Sequence, residues 1–228
     1  ADVILWDGGN NDFPFVRPDL HVVLVDALRP GHETSYWPGE VNLRAADIVV
    51  IAKADAAAAA DIDAISKNVA RINPDAPVIR AGSPVTLDDP GAVRGKRVIV
   101  VDDGPTLTHG GMAYGAGYAA ARAAEVAEII DPRPFAVPEI AAVYEKFPHL
   151  GAVLPAMGYD EAQKSALAAT LNASGADVVI AGTPIDLAQD ISLDVPIVRA
   201  RYRYADQGAP TLWDSVKAYL RDRALIAS

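Results

Sequence analysis

Asp7, Gly8, Gly9, Asn10, Asn11 and Asp12 crowd four polar side chains and two glycines behind the apolar run Val3–Trp6. A carboxylate on a turn that glycines open to close approach is what a Walker B-type Mg²⁺ site requires. Asp7 is therefore the candidate metal ligand, and Asp7 and Asp12 are candidate catalytic carboxylates; the plainer alternative is ordinary Asx and Gly turn chemistry. A second group is Thr106, Thr108, His109, Gly110 and Gly111, just before a helix of small residues from about Ala113 to Ala124. Hydroxyls, an imidazole and backbone N–H groups at a helix N-terminus suit a phosphate. This makes Thr106, Thr108, Gly110 and Gly111 candidate substrate-binding residues and His109 a candidate catalytic residue, against the alternative of a strand–turn–helix that needs small residues for packing. Arg17, Arg29, His32 and Arg133 fall in loops of the same set. A loop arginine is usually solvated or paired with a carboxylate, but together these cations could neutralise phosphates. Arg29 and His32 are assigned to substrate, and Arg133, held between Pro132 and Pro134, to catalysis.

Ala52-Lys53-Ala54-Asp55 follows an apolar strand, in the place of the base-recognition motif of GTPases. There Lys53 would stack on a base and Asp55 would accept from a guanine edge. Alanine at the first position removes the amide that braces such a loop, which argues for ATP over GTP; the competing reading is a helix cap by Asp55. No G-x-x-x-x-G-K-[ST] occurs in the sequence, nor G-x-S-x-G, H-E-x-x-H or a histidine cluster at metal spacing.

The elements that must position these groups alternate between strand and helix. Val3–Trp6, Leu20–Val25, Asp47–Ile51, Pro77–Arg80, Arg97–Val101, Ala127–Ile130, Ala152–Leu154, Asp177–Ala181 and Val195–Tyr202 read as strands, several closed by an acid. Between them, Ala56–Ile72 places Ile62, Ile65, Val69 and Ile72 at helical spacing and stops at Asn73-Pro74. Short helices follow at Glu40–Ala45 and Pro138–Phe147, Asp160 caps another, and Thr211–Leu225 is amphipathic. The pattern predicts an α/β fold with a mostly parallel sheet and helices on both faces, of P-loop NTPase-like or Rossmann-like type. The turn-rich Ser83–Gly95 stretch is the best seam. It divides the chain into residues 1–90, the C-terminal half of a nucleotide-binding domain, and residues 91–228, an α/β continuation.

At 228 residues and 51% hydrophobic, the chain can bury a sizeable core. With a net charge of −10 it disfavours nucleic acid, and any anion must be held by a local arrangement of cations and amides. No apolar run reaches membrane-spanning length and no leader opens the chain, which points to the cytoplasm without membrane association. Cysteine is absent, so neither disulfides nor thiolate metal sites arise.

The stretches Trp6–Phe13, Asp26–Glu33, Asp103–Met112 and Gly182–Leu187 resemble the cyclic 2,3-diphosphoglycerate synthetase family over nearly the whole chain. The resemblance implies a P-loop nucleotide-binding fold. It also implies an ATP- and Mg²⁺-dependent ligase that joins the two phosphates of 2,3-bisphosphoglycerate, or acts on a related phosphorylated small acid. Asp7 would match the Walker B acid, and Lys53 with Asp55 the base motif in weakened form. Full-length relatives carry a P-loop before this segment, so the partners it suggests are an upstream P-loop segment or a second copy in a homodimer. The alternatives are a GTPase switch or maturation factor, and a non-catalytic fragment or subunit.

Overall fold

The computed structural model describes residues 3–9, 12–157 and 160–223. In chain order the elements begin with β1 (Val22–Asp26), α1 (His32–Ser35), α2 (Gly39–Ala45), β2 (Ile48–Ala52), α3 (Ala59–Ile72) and β3 (Val78–Gly82). They continue with β4 (Val85–Leu87), β5 (Arg97–Asp102), α4 (Gly104–Thr108), α5 (Ala116–Ala123), β6 (Glu128–Ile129), a 3₁₀ turn at Arg133–Phe135, and α6 (Pro138–Lys146). The chain then forms β7 (Leu154–Pro155), α7 (Glu161–Ala173), β8 (Val178–Gly182), α8 (Leu187–Asp190), β9 (Ile197–Tyr202), β10 (Ala205–Asp206) and α9 (Leu212–Asp222). Two compact units result: residues 1–84 with 203–228, and residues 85–202.

The first unit carries a sheet in the order β1-β2-β3-β10, parallel except for β10. β2 is buried on both faces, as its unbroken apolar run predicts. One face packs Val23, Val25, Val49 and Ile51 against Leu43 of α2 and Ile62, Ile65, Val69 and Ile72 of α3. The other gathers Ile48, Val50, Ile79 and Ala81, with Leu20, Val22 and Leu212 of α9 against them. Asn73 closes α3 and donates to the carbonyls of Leu43 and Ala46 at 3.0 and 2.8 Å, which ties the end of α3 to the end of α2.

The second unit carries the order β4-β9-β8-β5-β6, with β7 pairing the C-terminal end of β5; only β4 is antiparallel. Its core is continuous, from Val98–Val101 of β5 and Val178–Ala181 of β8 to Ala120 and Ala121 of α5, Ile140 of α6 and Leu167 and Leu171 of α7.

One expectation needs correction. Val3–Trp6 is not a buried strand: it joins no sheet, and Val3, Ile4 and Leu5 are 65%, 83% and 91% exposed. An apolar run becomes a strand only when a sheet edge accepts its ladder, and here none does. The compact units divide near residue 84, and residues 203–228 go with the first. The reason is local: β10 pairs antiparallel with β3, and Leu212 packs on the same sheet. The end of the helix expected to reach Leu225 lies outside the described residues.

Candidate functional site

In the first unit, β1 and β2 run parallel with Asp26 opposite Ala52, so the residues after both strands leave from one edge of the sheet. Asp26 Oδ2 lies 2.7 Å from Lys53 Nζ and 3.1 Å from Arg29 Nε. Its other oxygen accepts from the Leu28 N–H at 3.0 Å, an Asx turn that folds the Arg29 loop back over the strand end. Lys53 has φ 60°, a left-handed conformation unfavourable for lysine by about 1–2 kcal/mol. The Ala54 N–H bonded to the Ala81 carbonyl and the Asp26 ion pair hold it there.

Glu33 is 4% exposed and supports this loop from below. Its carboxylate accepts from the Gly31 N–H at 2.8 Å and from Asn68 Nδ2 of α3 at 2.7 Å. His32 is exposed, its ring 4.8 Å from that of Tyr36. Asp55 turns its carboxylate to the Ser83 N–H at 2.9 Å. The two residues expected on a nucleotide base thus face acceptors and donors of the chain itself.

Asp7, Asp12 and Arg17 are exposed. Asp12 is anchored by its main chain: its N–H donates to the Gly9 carbonyl, and its own carbonyl accepts from Asn42 Nδ2, both at 3.0 Å. Asn10 and Asn11 lie outside the described residues. Among the described residues no three His, Asp or Glu side chains converge in a way that could hold a metal ion.

In the second unit, consecutive acids at the end of β5 diverge. Asp102 is wholly buried and accepts from the N–H groups of Gly115, Gly117 and Tyr118, at 2.8, 2.6 and 3.3 Å. Burial raises its pKa above the ordinary carboxylate value, while the three donors act the other way. Asp103 caps α4, accepting from both the N–H and the hydroxyl of Thr106. The amides that open α5, those of Gly115, Gly117 and Tyr118, thus already have an anion, the carboxylate of Asp102. Thr106 is engaged by Asp103, and Thr108 donates to the Gly104 carbonyl at 2.9 Å. Exposed His109 lies 3.0 Å from the Thr108 hydroxyl through Nδ1, while Gly110 and Gly111 continue the turn.

Arg133 is also committed. Nη1 spans both oxygens of Asp131 at 3.0 Å, Nη2 donates to the Leu150 carbonyl, and the guanidinium sits 4.8 Å over the Tyr144 ring. Burial raises the pKa of Tyr144, whose hydroxyl donates to the Val153 carbonyl. Arg133 is thus paired within the chain while its side chain stays 40% exposed.

The residues that sequence reasoning did not place in a site are Asp26, Glu33, Asp102 and Asp103. The signal for three of them was present, since Asp26 and Asp102 each close an apolar strand and Asp103 follows directly. Glu33 gave none, because its burial depends on Asn68 from α3.

Residues 1–81 match the family described as cyclic 2,3-diphosphoglycerate synthetase, P-loop domain. Over 222 residues, 97% of this chain and 50% of the relative, the chain is 52% identical to the arginine synthetase ArcE of Thermococcus kodakarensis. It is 30% identical over 106 residues, 46% of this chain and 24% of the relative, to the cyclic 2,3-diphosphoglycerate synthetase of Thermococcus sibiricus. The chain therefore spans about half the length of the first of these curated relatives and less of the second. By these matches residues 1–81 are similar to the P-loop domain of the cyclic 2,3-diphosphoglycerate synthetase family, and nearly the whole chain is similar to half of a curated synthetase, in keeping with its mostly parallel α/β architecture.

Proposed function

We propose that this chain is part of an ATP-dependent synthetase whose product is arginine. The observation that carries the reading is the 52% identity, sustained over 97% of the chain, to a protein named arginine synthetase. Likeness to the cyclic 2,3-diphosphoglycerate synthetase is lower and covers less than half of the chain. The chemistry suits a nucleotide-binding fold. Converting a ureido carbon into a guanidinium carbon exchanges an oxygen for a nitrogen. Transfer of the γ-phosphoryl of ATP to that oxygen makes it a phosphate leaving group, which ammonia then displaces. Such a reaction depends on positioning and charge neutralisation more than on a covalent nucleophile.

The triphosphate cradle would come from residues beyond these 228, either upstream in the same polypeptide or in another chain, since no Walker A motif occurs here. Asp7, exposed beside Gly8 and Gly9, would offer one carboxylate to the Mg²⁺ of the nucleotide. Magnesium of this kind commonly takes one or two carboxylates and completes its shell with phosphate and water.

The test incubates the full-length protein with ATP, Mg²⁺, citrulline and ammonium, and follows arginine by mass spectrometry beside ADP and phosphate. Arginine formed in step with ADP is the expected result. A second reading, closure of 2,3-bisphosphoglycerate to its cyclic anhydride, rests on the match of residues 1–81 to that family. It would be favoured by a cyclic product in phosphorus NMR with no arginine. Neither product would overturn both.

A further inference from the structure

We propose that Arg29 and Lys53 form a receptor for one oxyanion group, a phosphoryl or a carboxylate, with Asp26 as the internal anion that keeps the two cations in place. The proposal deepens the synthetase reading by giving the first unit a binding role, but its test does not depend on arginine being formed.

Three observations converge. The cluster stands at the C-terminal ends of β1 and β2, the edge at which open parallel sheets bind ligands. Both cations converge on a single oxygen, Asp26 Oδ2, which leaves the trio one positive charge in a protein whose net charge is −10. The Arg29 Nε–H, although 3.1 Å from that oxygen, is not aligned with it. Among the described residues it is the one enclosed side-chain nitrogen or oxygen without a hydrogen-bond partner. That enclosed nitrogen is left to Asp26, while the guanidinium as a whole stays 26% exposed, and a guanidinium fork matches the paired oxygens of phosphate or carboxylate.

The surroundings keep these groups in place yet reachable. The side chains of Asp26, Arg29 and Lys53 are 22%, 26% and 34% exposed, so the cluster opens to solvent without being dispersed in it. The Arg29 loop is fixed by the Asx turn at Asp26, by Gly31 at φ 92° and by the buried Glu33. At Lys53 the left-handed backbone turns the ammonium toward the neighbouring strand. Strain of this sort collects at functional sites.

A purely structural ion pair would give the same distances, and the sign of one substitution separates the two readings. If Asp26 only stabilises the fold, its removal weakens everything the loop does. If it occupies a receptor, its removal frees two cations for an external anion. The 228-residue chain and its Asp26→Asn, Arg29→Gln, Lys53→Asn and Arg71→Gln variants would be titrated at low ionic strength with inorganic phosphate and, separately, with acetate. Asparagine is chosen at position 53 because it tolerates a left-handed backbone, and Arg71 is an exposed control in α3. Thermal melts establish that each variant is folded.

The expected result is phosphate or acetate binding that weakens at least fivefold in Arg29→Gln and Lys53→Asn. It strengthens at least threefold in Asp26→Asn and is unchanged in Arg71→Gln. Preference for phosphate would assign the group to a phosphoryl, and preference for acetate to a carboxylate. Absent binding by the parent chain, equal binding by all variants, or weaker binding by folded Asp26→Asn would each overturn the proposal.

Discussion

Asp102 shows what a single carboxylate can organise when a strand end points it inward. Its oxygens meet three main-chain N–H groups that would otherwise open α5 without partners. Asparagine presents an NH₂ where one oxygen now accepts, so Asp102→Asn should destabilise the second unit by about 1–3 kcal/mol. The pH dependence has a definite sign. Burial, opposed by the three donors and reinforced by neighbouring Asp103, raises the folded-state pKa. The native state then holds this proton more tightly than the unfolded chain does. Stability from Asp102 should therefore fall as pH rises from roughly 4 through its raised folded value, and level off above it. Urea melts across that range should show the slope in the parent and lose it in Asp102→Asn; an identical slope in both would contradict the assignment. Asp7 predicts the reverse division of effects. It is exposed, so Asp7→Asn should alter stability by less than about 1 kcal/mol. In the full-length protein it should lower Mg²⁺-dependent turnover by orders of magnitude if Asp7 serves the nucleotide's metal. Near-normal turnover would remove it from the site.

Elements carry the next level of constraint, and Gly182 at the end of β8 shows how. A Cβ there would lie 2.2 Å from Asp102 Oδ1 and 2.3 Å from the Gly117 nitrogen, closer than real atoms approach. β5, β8 and the start of α5 can meet only because this position has no side chain. Gly182→Ala should accordingly cost about 2–3 kcal/mol, seen as a lower urea midpoint with an unchanged slope. A loss under about 0.5 kcal/mol would mean that the three elements part readily. The sequence makes some of this level plain. The buried stripe Ile62, Ile65, Val69 and Ile72 on α3, the continuous run of β2 and the Asp160 cap of α7 are local patterns, and all three form. Val3–Trp6 has the same composition as a buried strand but joins no sheet, since a ladder depends on a partner edge and not on the run itself. The candidate site was legible to a similar depth. That Asp26 and Lys53 end strands could be read directly; that their side chains meet required knowing that β1 and β2 are neighbours in register. Glu33 was opaque for the same reason, because its partner Asn68 comes from α3, whereas Arg133 takes Asp131 from its own turn and only the Leu150 carbonyl from a distant loop.

For the molecule as a whole, the question is what an acidic chain with a P-loop-family unit can hold by itself. A triphosphate is bound chiefly by consecutive main-chain N–H groups and a lysine in a glycine-rich loop. This sequence has no such loop, and the amides opening α5 are taken by Asp102. With a net charge of −10, the long-range field also opposes a polyanion. A cluster worth one positive charge can engage a single oxyanion, but it lacks the donors to neutralise three phosphates in a row. The 228 residues alone should therefore bind MgATP no more tightly than about 1 mM, or roughly −4 kcal/mol. A protein of the first relative's length, about twice that of the segment it shares with this chain, should bind it far more tightly. Calorimetry on the two, at the same ionic strength, makes the comparison directly. A micromolar dissociation constant for the isolated chain would place a complete nucleotide site within these residues and remove the need for any further segment or partner.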